Sequence, residues 1–256
     1  MSTDEARPFD GRVAMVVGAS RGIGAATATA FAEAGASVVL ASRGGDALEA
    51  ATEAVAKTGA ATLAVATDVG DPAAVERLVA ATMERFGRLD AAVNNAADGH
   101  MPAPLAEVAL EDFERVVRVN LTGFFVAMRH QIPAMLAGGG GAIVNMASTA
   151  GLSAFRGLSG YASTKHAIVG LTKVAALDYA KLGVRVNALA PGPILTDRIA
   201  ALTEEQRAPI VAAVPAGRIG TAREVADAAV WLCSDRAGFI TGTTLSIDGG
   251  RLAGAA

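Results

Sequence analysis

The sequence predicts an α/β fold: one doubly wound domain in which a parallel sheet of about seven strands carries helices on both faces. Three observations point there. Short β-branched runs alternate with helical segments almost from the start of the chain. The strand-like runs are continuously apolar rather than alternating, as strands covered on both faces must be. No linker or shift of composition divides the 256 residues, a length that one large domain can fill with a substantial core.

In chain order, residues 12–17 read as the first strand and 22–34 as a helix closed by Gly35. Ser37–Ser42 is the second strand, and residues 46–58 form a helix with Gly59 just past its end. Thr62–Ala66 is the third strand; the helix Pro72–Phe86 starts at Asp71 and stops at Gly87. Ala91–Asn94 is a short strand followed by a loop to about residue 110. Residues 111–136 then read as one long helix, with Pro133 bending its last turns. A glycine loop at 138–141, a strand at 142–146, a helix at 159–182 and a strand at 185–189 follow. Residues 191–220 are irregular apart from one short helix, Ala222–Cys233 is helical, and Thr244–Ile247 is the last strand.

Composition excludes several functions. Net charge is −3 and there is no Lys/Arg block, so nucleic acid and anionic membranes have nothing to hold. Residues 1–7 lack the apolar core of a signal peptide, and no apolar run is long enough to span a bilayer. The single cysteine, Cys233, excludes an internal disulfide and fits a reducing cytoplasm; its apolar helical setting makes it a core thiol. Asn120-Leu-Thr122 spells a glycosylation sequon, which without a secretion signal is chance. His100, His130 and His166 have no ligand spacing with cysteines or acids, so no metal is expected, and His100 reads as an ordinary loop residue.

Two motifs carry chemistry. Between the first strand and first helix stands Gly18-Ala-Ser-Arg-Gly22-Ile-Gly24. Glycines there let the backbone turn sharply and approach a pyrophosphate, which the helix N-terminus faces; this is the Rossmann-type arrangement. An NAD site wants a carboxylate at the end of the second strand, but this chain has Ser42-Arg43, with Arg21 inside the glycine turn. Two guanidiniums and a hydroxyl suit a 2′-phosphate, so NADP(H) is preferred over NAD(H); Asp46, the nearest acid, reads as the cap of the next helix. The second motif is Tyr161-Ala-Ser-Thr-Lys165, whose spacing puts phenol and amine on one helix face. A lysine cation beside the phenol favours the phenolate, but bringing a pKa of ~10 to ~7 needs roughly 4 kcal/mol. One lysine supplies part of that, so a second positive group is required.

With both motifs in place, the chain resembles the short-chain dehydrogenase/reductase family from about Gly11 to Arg251, and further stretches match it in order. Asp68-Val69 is similar to the pair that touches the adenine, and Asn94-Asn95-Ala96-Ala97 to the segment ending the fourth strand. Asn120, Ser148, Tyr161 and Lys165 match the catalytic set, Pro191-Gly192-Pro-Ile194-Leu-Thr196 the loop over the nicotinamide carboxamide, and residues 241–250 the C-terminal strand and turn. The chain departs from the pattern at Val17, where threonine is usual, and at Ala97, where glycine is usual.

The resemblance implies that Tyr161 passes a proton to or from the substrate oxygen while Ser148 polarises that oxygen. It implies that Lys165 lowers the tyrosine pKa and holds ribose hydroxyls, the oxidised nicotinamide being the second cation, and that Asn120 holds a water linking Lys165 to bulk. Cofactor contacts fall to Gly18, Ser20, Arg21, Gly22, Ile23, Gly24, Ser42, Arg43, Asp68, Val69, Asn95, Ala96, Tyr161, Lys165, Pro191, Gly192, Ile194 and Thr196. Substrate contacts fall to Ser148, Leu152, Phe155 and Tyr161, in a pocket bordered by residues 100–105, 150–158 and a lid at about 193–220, with Arg156 and Arg198 as anion contacts. That suits a medium-sized, partly apolar carbonyl or secondary alcohol, as in a 3-oxoacyl thioester reductase or a ketone/alcohol dehydrogenase. The alternatives are a dinucleotide-binding scaffold without turnover, an NAD-dependent alcohol dehydrogenase, and a related lyase or epimerase. Phe124, Phe125 and Met128, like Val169, Leu171 and Val174, cannot all face one sheet, which predicts a helical subunit interface and, by the resemblance, a homotetramer or homodimer.

Overall fold

The computed structural model describes residues 7–254. The first six residues, most of the stretch expected to lack a signal peptide, lie outside the described residues. No described helix is long and apolar enough to cross a membrane.

Seven parallel strands form the central sheet: β1 (Val13–Val17), β2 (Ser37–Ser42), β3 (Thr62–Ala66), β4 (Ala91–Asn94), β5 (Gly141–Met146), β6 (Val184–Pro191) and β9 (Thr244–Ile247). Their spatial order is β3-β2-β1-β4-β5-β6-β9, so the winding reverses between β1 and β4. In such sheets the crevice beyond the carboxyl ends of the strands at that reversal is the place for a ligand.

Successive strand residues point to opposite faces, and both faces are covered. On one side Ala14, Val16, Val38, Leu40, Val93 and Val144 meet Ala28 and Phe31 of α1 (Gly22–Glu33) and Val225, Ala229 and Leu232 of α9 (Ala222–Cys233). On the other, Met15, Val39, Ala92 and Ile143 meet Val75, Leu78 and Val79 of α3 (Pro72–Phe86) and Val126, Ile132 and Met135 of α5 (Gly123–Ala137). Phe31 is fully buried with its ring edge-on to Phe9, 5.0 Å between centroids. Burial of a side chain that size stabilises by roughly 1.5–3 kcal/mol.

Four expectations need correction. Residues 111–136 are not one helix: α4 (Leu110–Val117) passes through a π-helical turn, Arg118–Thr122, into α5. That turn replaces an ordinary i→i+4 bond with one from the Gly123 N–H to the Arg118 carbonyl and turns Asn120 fully inward. The helix read at 159–182 is α6 (Ser159–Tyr179) followed by a 3₁₀ turn that Gly183 ends at φ 82°. The irregular segment after β6 holds β7 (Ile194–Leu195), α7 (Asp197–Ala200), α8 (Glu204–Ala212) and β8 (Gly220–Thr221); β7 and β8 pair in parallel. A Thr203/Gln206 capping box starts α8. Finally, α2 (Asp46–Ala56) is capped by Gly45 at φ 81°, without a side-chain bond; Asp46 is its first residue and interacts with the positive helix end instead.

The sheet interior also holds a polar chain that links the layers. The Asn94 and Gln131 amides exchange hydrogen bonds at 3.1 and 2.9 Å. Asn94 Nδ2 also donates to Asn145 Oδ1 at 3.0 Å, and Asn145 Nδ2 donates to Thr172 Oγ1 at 3.0 Å. All four residues are buried, so β4, β5, α5 and α6 are held in one register by groups that have no water to turn to. Gln131→Leu leaves Asn94 Oδ1 without its donor. We expect a loss of about 1–3 kcal/mol in urea unfolding, and a variant as stable as the parent would show the chain to be dispensable.

Candidate active site

The glycine turn after β1 is shaped by what a side chain would hit. A Cβ on Gly24 would lie 1.9 Å from the Gly18 carbonyl oxygen, and one on Gly18, at φ 84°, would lie 2.6 Å from the Ala96 nitrogen. Asn95 Nδ2 donates to that same Gly18 oxygen at 3.1 Å, fixing the turn to the end of β4. Helix α1 then starts at Gly22 with no side-chain cap and no acidic residue in its first turn. Its orphan amides are left for an anion, which is what a pyrophosphate requires. The loop after β6 returns over this turn: Thr196 Cγ2 is 3.2 Å from where a Gly22 Cβ would be, and Gly192 packs on the Asp248 backbone with no room for a Cβ.

The remaining cofactor candidates spread from this turn. Ser20 stands between Gly18 and Gly22, and Ile23 packs against the core from the helix start. Arg21 and Arg43 are both exposed, on the first turn and just past the half-buried Ser42 at the end of β2. Asp68 accepts from the Gly70 N–H at 2.8 Å, next to the buried Val69. Ile194 turns its side chain into the core, so only its backbone can meet a ligand. Pro191 ends β6. A glycine cradle with free amides fits the pyrophosphate of a dinucleotide.

Two strand positions further along the sheet, β5 delivers Ser148. Its Oγ accepts from the Ala150 N–H at 3.1 Å, capping the 3₁₀ turn Thr149–Gly151, so its own proton is free to be donated outward. Tyr161, in the first turn of α6, is part-buried beside it. Lys165, one turn later, is 1% exposed. Its Nζ donates to the Met146 carbonyl at 2.7 Å and lies 5.5 Å from the Tyr161 ring centroid and 5.2 Å from that of Phe124.

The Asn120 side chain is committed to the loop after β4 and to α6. Its Oδ1 accepts from the Asp98 N–H at 2.7 Å while Nδ2 donates to the Asp98 carbonyl at 2.9 Å and Thr164 Oγ1 at 3.3 Å. The amide is thus occupied in clamping the loop after β4, and Thr164 Oγ1 in turn donates to the Tyr161 carbonyl.

The electrostatics depart from the sequence argument. Burial pushes the Tyr161 phenol above its ordinary value; the Ser148 hydroxyl and the Arg198 charge pull the other way. Burial also pushes the Lys165 ammonium down to about 7, which weakens the charge it can set against the phenol. Lys165 is dry and Tyr161 part-buried, and removal from water disfavours the phenolate and the ammonium alike.

The sequence placed His100 at the border of the pocket but not its bond, and it did not single out Arg251. His100, read as an ordinary loop residue, is 7% exposed and accepts from the Gly160 N–H at 3.1 Å. Arg251 lies over the Phe155 ring at 4.6 Å, bringing the C-terminal segment to the loop after β5. Only the position of Arg251 shortly after the Asp-Gly-Gly turn could have drawn notice. Leu152 and Met101 are exposed, as are Arg156 and Arg198.

A stability consequence follows from Lys165. Its folded-state pKa, about 7, is below its unfolded value of 10.5, so the unfolded chain binds the extra proton between those limits. Folded stability therefore rises with pH across that window, and the penalty is complete below it. Lys165→Met should stabilise the unliganded protein at pH 6, on the order of 2–4 kcal/mol, and hardly at all at pH 10. Denaturant unfolding at both pH values reads this; no gain at pH 6 would refute the buried, unpaired ammonium.

Comparison with known proteins agrees with this geometry. Residues 18–251 match the family described as Enoyl-(Acyl carrier protein) reductase. Cyclohexanol dehydrogenase from Acinetobacter sp. (strain SE19) is 39% identical over 241 residues, 94% of this chain and 95% of that one. A-factor type gamma-butyrolactone 1′-reductase (1S-forming) from Streptomyces virginiae is 40% identical over 252 residues, 97% of this chain and 98% of that one. The crystal structure of levodione reductase superposes with a TM-score of 0.92 at 36% identity, covering 96% of this chain and all of the other. The glycine turn, the sheet order and these likenesses together place the chain in the short-chain dehydrogenase/reductase family of NAD(P)-dependent oxidoreductases, which interconvert alcohols and carbonyls.

Proposed function

We propose that the protein is an NADP(H)-preferring oxidoreductase that interconverts a secondary alcohol and its ketone, with Tyr161 as the general acid/base. The observation that carries this reading is the meeting of Ser148, Tyr161 and a buried, unpaired Lys165 beside the uncapped glycine turn. A solvated surface pair would leave Lys165 wet and hydrogen-bonded to nothing in particular.

The bound dinucleotide would supply or accept the hydride. The backbone from Gly18 to Gly24 would hold its pyrophosphate, Arg21 and Arg43 a 2′-phosphate, Asp68 and Val69 the adenine, Lys165 the ribose hydroxyls, and residues 191–196 the carboxamide. The chain's own work is on the proton. In reduction, the Ser148 hydroxyl donates to the carbonyl oxygen and polarises it. The Tyr161 phenol, kept protonated by burial, gives its proton to the same oxygen as charge develops there. In oxidation the phenol must first lose that proton, which the dry site resists. Lys165 at about 7 is poised to exchange a proton near neutral pH.

Cyclohexanol dehydrogenase among the relatives favours a cyclic secondary alcohol or ketone as the substrate class. Leu152 and Phe155 offer an apolar wall, and Arg198 the nearby charge. Self-association is supported by Phe125, Val174 and Leu177, which are 49%, 55% and 83% exposed on α5 and α6. Phe124 and Met128 face inward and are buried, which leaves Phe125 as the outward member of that group.

Tyr161→Phe should lower kcat for cyclohexanone reduction with NADPH by at least about 100-fold while dinucleotide fluorescence titration stays unchanged; full turnover would end the assignment. Because the phenol is raised, kcat/KM for alcohol oxidation should climb with pH well into the alkaline range while kcat/KM for reduction declines there. An oxidation rate already level by neutral pH, with reduction falling from there, would show the phenolate to be the resting form. In the titration, NADPH should bind more tightly than NADH, and Arg21→Ala with Arg43→Ala should reduce that preference by about tenfold or more. Equal binding in the parent protein would refute the 2′-phosphate reading.

A further inference from the structure

The loop after β4 is pinned at two points, and the second touches the base of the proposed acid/base helix. At the first, Asn120 clamps the Asp98 main chain from both sides. Two residues on, His100 turns its ring inward: Nδ1–H donates to the Met101 carbonyl at 2.8 Å and Nε2 accepts from the Gly160 N–H at 3.1 Å. Those partners assign the neutral Nδ1–H tautomer, since one nitrogen faces an acceptor and the other a donor.

Gly160 is the second residue of α6 and immediately precedes Tyr161. First-turn amides have no partner within their own helix, and Leu158, at the N-cap position, offers no side-chain bond. His100 therefore does from another loop what a Ser or Asp cap does from within a helix. The fit is close: a Cβ at Gly160 would lie 3.1 Å from His100 Cδ2, 3.2 Å from Nε2 and 3.4 Å from Phe113 Cδ2. The ring and the helix start are thus in van der Waals contact as well as hydrogen-bonded.

We infer that His100 is a positioning residue for the reaction: it caps α6 and so fixes the backbone on which Tyr161 is presented to the substrate oxygen. Both ring nitrogens are spent on backbone groups, so His100 acts through the helix. The same ring lines an open cleft with Met101, Asp98, Asp112, Arg115 and Arg198, so occupation of that cleft and the aim of the phenol are mechanically joined. Arg115 holds the cleft's other wall through ion pairs with Asp98 and Asp112. Arg198 is the one charge of that cleft that also acts on Tyr161.

This inference rests on Tyr161 as the acid/base, and the test separates the two. His100→Phe keeps a ring of similar size without the acceptor; His100→Gln puts an amide oxygen near the Nε2 position. Steady-state kinetics of NADPH-dependent cyclohexanone reduction, dinucleotide titration, and hydrogen exchange at the Gly160 amide are measured for the parent and both variants. Because a misplaced acid affects turnover, His100→Phe should lower kcat by about 10- to 100-fold with KM and dinucleotide affinity within about twofold. His100→Gln should recover most of that kcat. The Gly160 amide should be protected in the parent and in His100→Gln, and exchange faster in His100→Phe. Three results would each overturn the inference: a His100→Phe variant keeping kcat, a His100→Gln variant falling as far as His100→Phe, or a Gly160 amide unprotected in the parent. The last reading needs no variant to fold. Tyr161→Phe in the same assay reports on the other claim alone: if it retains turnover the acid/base reading fails, whereas an inactive Tyr161→Phe with an unaffected His100→Phe removes only the positioning role.

Discussion

A lysine is held almost wholly out of water with one hydrogen bond, to the Met146 carbonyl, and no carboxylate among the described residues offsets its charge. The rest of the structure can be understood as what it takes to keep it there. Desolvating an ammonium costs several kcal/mol even after relaxation, so the position survives only where surrounding packing over-determines it. That packing is visible on each side. Gly151 brings the turn after β5 so near α6 that a Cβ would lie 2.6 Å from the Lys165 carbonyl oxygen. Phe124 closes the site from α5, and Ile168, one turn beyond, is fully buried. Lower down, the Asn94–Gln131–Asn145–Thr172 chain fixes α6 against β5 by directional bonds, where apolar contacts alone would allow it to slide.

The fold was legible because its signals are local. Glycines at 35, 59, 87 and 183 stop elements where the chain must take positive φ, and apolar runs between them are too short and too β-branched for helices. What escaped notice was either too short to show a period or lacked one of its own. The β7–β8 pair is two residues on each side. The π turn at Arg118–Thr122 differs from an α turn by one bond, and the apolar spacing through Val116, Val119 and Gly123 fits either. Yet that single bond sets where Asn120 points, so a site residue was found by its type while its contacts were not.

The site divides along the same line. Gly18, Gly22 and Gly24 could be read because backbone geometry demands them, and Tyr161 with Lys165 because helical spacing is arithmetic. The partner of His100 is 60 residues away in sequence, and no spacing rule connects a loop histidine to a glycine amide. Charge was the least legible feature. The sequence argument assigned Lys165 a full positive charge and let it depress Tyr161, because composition reveals which groups meet but not how dry they are. Burial acts on both partners and with opposite sign on their pKa values, raising the acid and lowering the base.

That inversion leads to a consistent account of the site's resting state. A phenol raised by burial and an amine lowered to about 7 leave the pair near neutrality before any ligand arrives, the arrangement a low-dielectric pocket prefers. A cation that enters beside them favours the phenolate and disfavours the ammonium, so it lowers both pKa values. Proton donation from the phenol is then the easy direction and proton acceptance the one that needs help from outside the chain. On the proposed reading such a site keeps its acid loaded by default, through packing at Gly151, Phe124 and Met146 around Lys165. Stability and chemistry therefore compete at one residue: the dryness that makes Lys165 useful near neutral pH is the same dryness that makes it costly to fold around.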